Sequence, residues 1–341
     1  MLLAACGSLL LAACANQPPV GSPTGPLVID KQGSFFVGGR TIKSDTLSTL
    51  PAYVASGSVA VEQMYVHYQV PVGAKGLPLV LIHGCCLTGK TWETTPDGRM
   101  GWDEYFVRQG HPVYVIDQVS RGRSAANTTP VTAVLAGKAP ATATPPVFMA
   151  SQESAWAIFR FGAEYPKVFP GMRYPLAAID EFWKQMVPDW APTLPTPNPT
   201  VPALSELAGR LGNAVLISHS QSGIYPFQTA ALSTRGIAGI VAIEPAGCPS
   251  ATGDLKPYLG VPLLVLWGDY VELVPRWAPR LKACREFVQA VNQAGGKAEN
   301  VQLPDLGIKG NSHMLMQDDN SLQVADWLQG WIVKHVEAAR R

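Results

Sequence analysis

The feature that most constrains this chain is a set of five short apolar runs: LPLVLIHG (77–84), HPVYVIDQ (111–118), NAVLISHS (213–220), IAGIVAIEP (237–245) and VPLLVLWGD (261–269). Each is of strand length and apolar almost throughout, the pattern of a strand buried on both faces. Helical patterns lie between and after them: WDEYFVRQG (102–110), LSELAGRLG (204–212), SGIYPFQTAALS (222–233) and PRWAPRLKACREFVQAVNQAG (275–295). Buried strands alternating with helices predict an α/β fold, a mostly parallel sheet with helices on both faces. Ahead of this series, residues 33–70 alternate in strand fashion. Behind it come a last strand candidate at 298–306 and an amphipathic helix at 321–340.

Residues 124–200 break the rhythm. They hold 12 of the chain's 30 prolines, too many for a sheet interior, together with Trp156, Phe159, Phe161, Tyr165, Phe169, Tyr174, Phe182, Trp183 and Trp190. So many aromatics do not suit a disordered linker. The segment reads as a cap inserted between two core strands, with a helix near 176–187 and its aromatics fastening it to the core.

The 341 residues suffice for one large buried core, and a net charge of +1 offers no field to gather nucleic acid or acidic lipid. Residues 1–14 (MLLAACGSLLLAAC) are apolar and too short to span a bilayer, and they suit a secretory leader. Leu11-Ala12-Ala13-Cys14 has the form of a bacterial lipobox with Cys14 as the anchored residue, and Leu3-Ala4-Ala5-Cys6 fits the same form; simple cleavage without lipidation is the other reading. Residues 15–32 form a polar linker, and 33–338 the folded domain. The expected location is therefore periplasmic or secreted, with an outer-membrane lipid anchor at Cys14 if the lipobox is used. Beyond the leader remain Cys85, Cys86, Cys248 and Cys284, an even number that favours disulfides in an exported protein and permits three pairings.

Three places carry chemistry. In Ser218-His219-Ser220-Gln221-Ser222-Gly223 a buried strand runs through small-x-Ser-x-small into a helix, the context of a nucleophile elbow with Ser in place of both usual glycines. Ser220 is the candidate nucleophile, and the Gln221 amide, at a helix N-terminus, can donate to an oxyanion. His83-Gly84 closes the first buried run, so the Cys85 amide can supply a second oxyanion donor; His83 itself reads as structural. His313 lies between the last strand and the last helix, which suits a general base. His67, His111, His219 and His335 fall on strands, the elbow or the final helix. The acid stays open on the residues alone: Glu244 ends the strand after the elbow helix, while Asp269 and Glu272 follow the next strand.

Together these features resemble the α/β-hydrolase superfamily over about residues 33–338. His83-Gly84-Cys85-Cys86, the Ser-His-Ser-Gln-Ser-Gly elbow and Ala242-Ile243-Glu244-Pro245 are similar to a group of secreted bacterial serine esterases with a disulfide between adjacent cysteines in the oxyanion loop. The resemblance implies a Ser220–Glu244–His313 triad, oxyanion donors at Cys85 and Gln221, and a Cys85–Cys86 bond that leaves Cys248 with Cys284. It implies hydrolysis of small-molecule carboxylic esters through an acyl-enzyme, with no metal or other cofactor. An amidase or lactonase would share every residue named, and a non-catalytic binding lipoprotein on the same fold is the remaining alternative. With His313 as base, activity should fall on acidification through an apparent pKa of about 6–7.

Overall fold

A computed structural model describes residues 25–190 and 194–338; the leader and its Cys14 lie outside the described residues. Eight strands form one sheet: β1 (Ile29–Ser44), β2 (Gly57–Pro71), β3 (Leu79–Ile82), β4 (Val113–Asp117), β5 (Ala214–His219), β6 (Ile237–Ile243), β7 (Leu263–Trp267) and β8 (Ala298–Gln302). Their order is β1-β2-β4-β3-β5-β6-β7-β8, antiparallel from β1 to β4 and parallel from β4 onward. The five apolar runs are the parallel strands β3 to β7. The strand β1 begins at Ile29, inside the stretch read as polar linker: Ile29 pairs with Pro71 and Lys31 with Val70, because backbone pairing on a half-exposed ribbon does not require apolar side chains.

Alternate residues of each parallel strand feed two separate cores. Leu79, Leu81, Val113, Val115, Val215, Ile217, Val241, Ile243, Leu264 and Leu266 face α1 (Trp102–Arg108), α8 (Ser321–Ile332) and the insertion. Val80, Ile82, Ile116, Leu216, Ile240, Ala242, Leu263 and Val265 face α5 (Thr200–Leu211), α6 (Tyr225–Leu232) and α7 (Ala278–Gln293). Complete burial of these strands explains why their sequences do not alternate.

Between β4 and α5 the described residues include the short helices α2 (Thr129–Leu135), α3 (Gln152–Ile158) and α4 (Ile179–Lys184). The helix expected at 176–187 is shorter, a single 3-10 turn at Leu176–Ala178 leading into α4. Trp156, Phe159, Phe161, Tyr174 and Phe182 of this segment are buried in the first core. Phe182 meets the Phe159 ring edge-on at 4.9 Å, and Phe161 lies 4.4 Å from Tyr174. Most of the parallel strands end toward one edge, and the loops after β3, β5, β6 and β7 meet there, as open α/β sheets arrange their ligand sites.

Candidate active site

The turn after β5 is tight. Ser220 adopts φ 58°, a left-handed conformation that costs a residue with a Cβ roughly 1–2 kcal/mol. The two serines that replace glycines use their hydroxyls to stabilise it. Ser222 Oγ donates to the carbonyl of Ile82 on β3 (3.1 Å), and Ser218 Oγ reaches that of Val241 on β6 (3.4 Å). Gly223 has to lack a side chain, since a Cβ there would lie 2.4 Å from that of Pro245. Pro245 follows Glu244, so the elbow and the end of β6 are packed as one unit.

Gly84 brings the loop after β3 against the elbow; a Cβ on it would lie 2.8 Å from Ser220 Cβ. The Gly84 carbonyl accepts from Arg121 Nη1 (2.8 Å) and from His83 Nδ1 (2.9 Å). Across a planar trans peptide the N–H points away from the C=O, so these two bonds fix the direction in which the Cys85 amide faces. His83 Nε2 accepts from the Gln118 amide (3.0 Å), which makes this imidazole the neutral Nδ1–H tautomer. Burial, then the positive charge of Arg121, lower its pKa to about 4. Arg121 also pairs with Asp189 in a buried contact and donates to Gln221 Oε1 (3.2 Å), while Gln221 Nε2 donates to Tyr225 Oη (3.1 Å). A single guanidinium therefore braces both chain segments that hold the expected oxyanion donors.

Cys85 and Cys86 are bonded to each other with Cα atoms 3.8 Å apart, the spacing of adjacent residues across a trans peptide. Cys248 and Cys284 form the second bridge, with Cα atoms 5.1 Å apart. The Cys85, Cys86 and Asp189 donor atoms lie within 4.8 Å of one another. As a disulfide, the two sulfurs have no thiolate to offer a cation.

His313 is completely buried, and its Nδ1–H donates to Glu244 Oε2 (3.1 Å). Its Nε2 is buried with no hydrogen-bond partner. His219, next to Ser220, donates from Nε2 to the His313 carbonyl (2.9 Å), and the two rings lie 4.7 Å apart. The Trp277 ring centroid lies 4.2 Å from that of the His313 imidazole. Glu244 also has a positive φ, 52°, and its Oε1 accepts from the Gly268 amide (2.5 Å). Asp269 instead holds the histidine loop, accepting from the Gly310 amide (2.9 Å) and the Tyr270 amide (2.7 Å). Glu272 lies at the surface, 3.5 Å from Arg285.

One charged group at this site was not foreseen. Arg160, completely buried at the end of α3, donates from Nη1 and Nη2 to the two oxygens of Glu244, each at 2.5 Å. Its sequence signal is a lone charge within an apolar-aromatic stretch, AWAIFRFGA (155–163), a setting in which a cation must find a buried partner. Burial alone would raise the Glu244 carboxyl, but the charge and hydrogen bonds of Arg160, then the bond from His313, bring it down to about 2. For His313, burial lowers the pKa, Glu244 raises it, and Arg160 and Arg276 lower it again, to about 4. The expected midpoint of about 6–7 belongs to a solvated imidazole; here water is excluded and a guanidinium stands beside the ring.

No protein-family model matches the chain. A solved structure described as a novel bacterial esterase is 58% identical, with a TM-score of 0.91 over 92% of this chain and 99% of that one. A fungal protein named "Probable secreted lipase phiG" is 28% identical over 318 residues, 80% of this chain and 86% of its own.

Proposed function

Since this chain belongs to the α/β-hydrolase superfamily, in one group with a bacterial esterase, we propose that it is a serine carboxylesterase that forms its acyl-enzyme on Ser220. His313 Nε2 takes the Ser220 proton as Oγ attacks the ester carbonyl. The amides of Cys85 and Gln221 stabilise the oxyanion, each contribution being worth about 3–4 kcal/mol in a site of this kind. The protonated His313 then gives its proton to the departing alcohol, and a water deprotonated by the same nitrogen releases the acid. Glu244 holds the imidazole with its proton on Nδ1, which leaves Nε2 free to act as base.

The observation that carries this reading is the buried, unpartnered Nε2 of an imidazole whose Nδ1–H is bonded to a carboxylate, beside an elbow that holds Ser220 at φ 58°. Metal-assisted hydrolysis plays no part in this scheme.

The proposal extends to location: an exported protein, periplasmic or secreted, with Cys14 as the residue that would carry a lipid anchor. The apolar leader, the two disulfides and the secreted fungal relative support export.

The test is kcat on nitrophenyl esters of increasing acyl length, with matched amides and lactones beside them, for Ser220→Ala, Glu244→Gln, Asp269→Asn and Glu272→Gln. The expected result is turnover of esters above amides and lactones, none by Ser220→Ala, and a loss of about a thousandfold or more for Glu244→Gln alone among the acids. Glu244→Gln retaining more than about a tenth of the activity, while Asp269→Asn or Glu272→Gln loses about a thousandfold, would assign the acid elsewhere.

A further inference from the structure

The insertion between β4 and β5 sends one charged side chain into the centre of the site, and the scheme above gives it no part. We propose that Arg160 is the positioning residue of the catalytic acid: it holds both oxygens of Glu244 in a fork, turns Oε2 toward His313 Nδ1, and balances the carboxylate charge so that the imidazole rests neutral. The proposal rests on the reading of Ser220, His313 and Glu244 as the triad.

The geometry leaves the carboxylate little freedom. Oε2 accepts from Arg160 Nη1 and from His313 Nδ1–H, and Oε1 from Arg160 Nη2 and the Gly268 amide. With four donors placed, Glu244 presents one oxygen to the histidine and cannot rotate away. The guanidinium is itself fixed, since Nε donates to the Asp269 carbonyl (3.0 Å) and Nη2 reaches that of Ser312 (3.5 Å). The backbone beside it is tied to the same loop, with the His313 amide donating to the Phe159 carbonyl (3.0 Å) and Trp277 Nε1 to that of Ile158 (3.0 Å). Arg160 adopts φ 57°, a left-handed conformation that the surrounding structure has to hold.

Nη1 also lies 3.4 Å from His313 Nδ1. A proton donated there would put the imidazole in the tautomer that cannot act as base. The much shorter contact to Oε2 directs that proton to the carboxylate, so Glu244 keeps the Nδ1–H bond. A buried ion pair adds little to stability over well-packed apolar side chains, so bracing alone is a weak reason for this one. Its effect on the protons of the triad is a better one.

The other charged groups around His313 are engaged elsewhere. Asp269 holds Gly310 and Tyr270, and Asp318 accepts from Ser312 and Asn311. Neutral His219 donates to the His313 carbonyl, Arg280 lies over the Trp277 ring at 5.1 Å, and Arg276 adds a weaker positive charge. Loss of Arg160 removes the guanidinium paired with Glu244 and the cation within 3.4 Å of His313 Nδ1. Glu244 and His313 each then take a proton more readily, and both changes move the acid limb of activity upward.

The experiment measures kcat/KM against pH for the wild type, Arg160→Gln, Glu244→Gln and the double variant, with fluorophosphonate labelling of Ser220 in each. For Arg160→Gln the expected result is an acid limb displaced upward by about one pH unit or more, with kcat at neutral pH lowered by about tenfold or more. In the Glu244→Gln background, removing Arg160 should cost less than about threefold, because the residue acts through Glu244. An unmoved acid limb in Arg160→Gln overturns the proposal, whatever happens to kcat. If that variant does not fold, the charge-neutral double variant still decides: activity about tenfold or more below Glu244→Gln overturns it. Failure of the triad reading itself looks different, since Ser220 would then go unlabelled in the wild type.

Discussion

Glu244 and Asp269 show what a residue's identity reveals and what it conceals. Both end apolar runs, and the residue types leave them nearly tied. What separates them is which carboxylate faces His313, and that follows from the path of the loop at 309–313, which no local pattern encodes. Asp269 holds that loop through Gly310, whereas Glu244 bonds the ring. Burial is equally hidden in a single sequence, and it changes the expected pH profile. In the proposed mechanism His313 must be neutral to accept the Ser220 proton. With its pKa lowered to about 4, kcat/KM should stay on its plateau through about pH 6 and fall through a midpoint near 4. The fold faces its own acid limit: His83, His219 and His313 are buried and all lowered below the ordinary 6.5. Through these three groups the unfolded chain binds more protons as pH falls from about 6.5 toward 4, which costs stability across that window. The carboxyls of Asp103 and Asp318, raised by burial to about 7, take up protons in the folded state and offset part of the loss. Initial rates after a rapid pH jump separate the two effects, and a midpoint near 6.5 in such data would contradict the environment described for His313.

The elements were more legible than the side chains. The parallel strands β3 to β7 fall on the apolar runs because burial on both faces leaves little room for polar positions, whereas β8 at the sheet's edge is only half-buried. The elbow appears where β5 meets α6. The turn is less regular than the sequence suggests. Residues Ser220–Ile224 form a 3-10 turn, and α6 starts only at Tyr225, with Pro226 in its first turn. The contact between the loop after β3 and this elbow was invisible, although both carry a necessary Gly. In Gly84→Ala the new methyl would meet Ser220 Cβ at 2.8 Å and His219 Nδ1 at 2.9 Å. The loop must then retreat from Ser220, and a displacement of about 1 Å in a catalytic group can cost about a hundredfold. We expect Gly84→Ala to fold, with kcat reduced on that scale. A kcat within about threefold of wild type would mean that this contact does not set the position of the oxyanion donors.

On the scale of the whole molecule, the insertion between β4 and β5 does more than cover the sheet. Trp156, Phe159, Phe161, Tyr174 and Phe182 pack into the core, but the segment also reaches His313 and Glu244 through Phe159 and Arg160, and the loop after β3 through the buried Arg121–Asp189 pair. Pro-rich sequence without periodicity gives no register from which such contacts could be read, so Arg160 was found only once the chain was folded around it. Ser220 is 4% exposed and His313 fully covered. Reaction with a small active-site probe is therefore also a test that the buried hydroxyl is the reactive one. The most direct measurement is intact-protein mass after treatment with a fluorophosphonate, followed by peptide mapping. One adduct per chain, on Ser220 and abolished in Ser220→Ala, is the predicted result. An adduct on Ser218 or Ser222, or a full adduct on the Ser220→Ala protein, would contradict the assignment of the nucleophile.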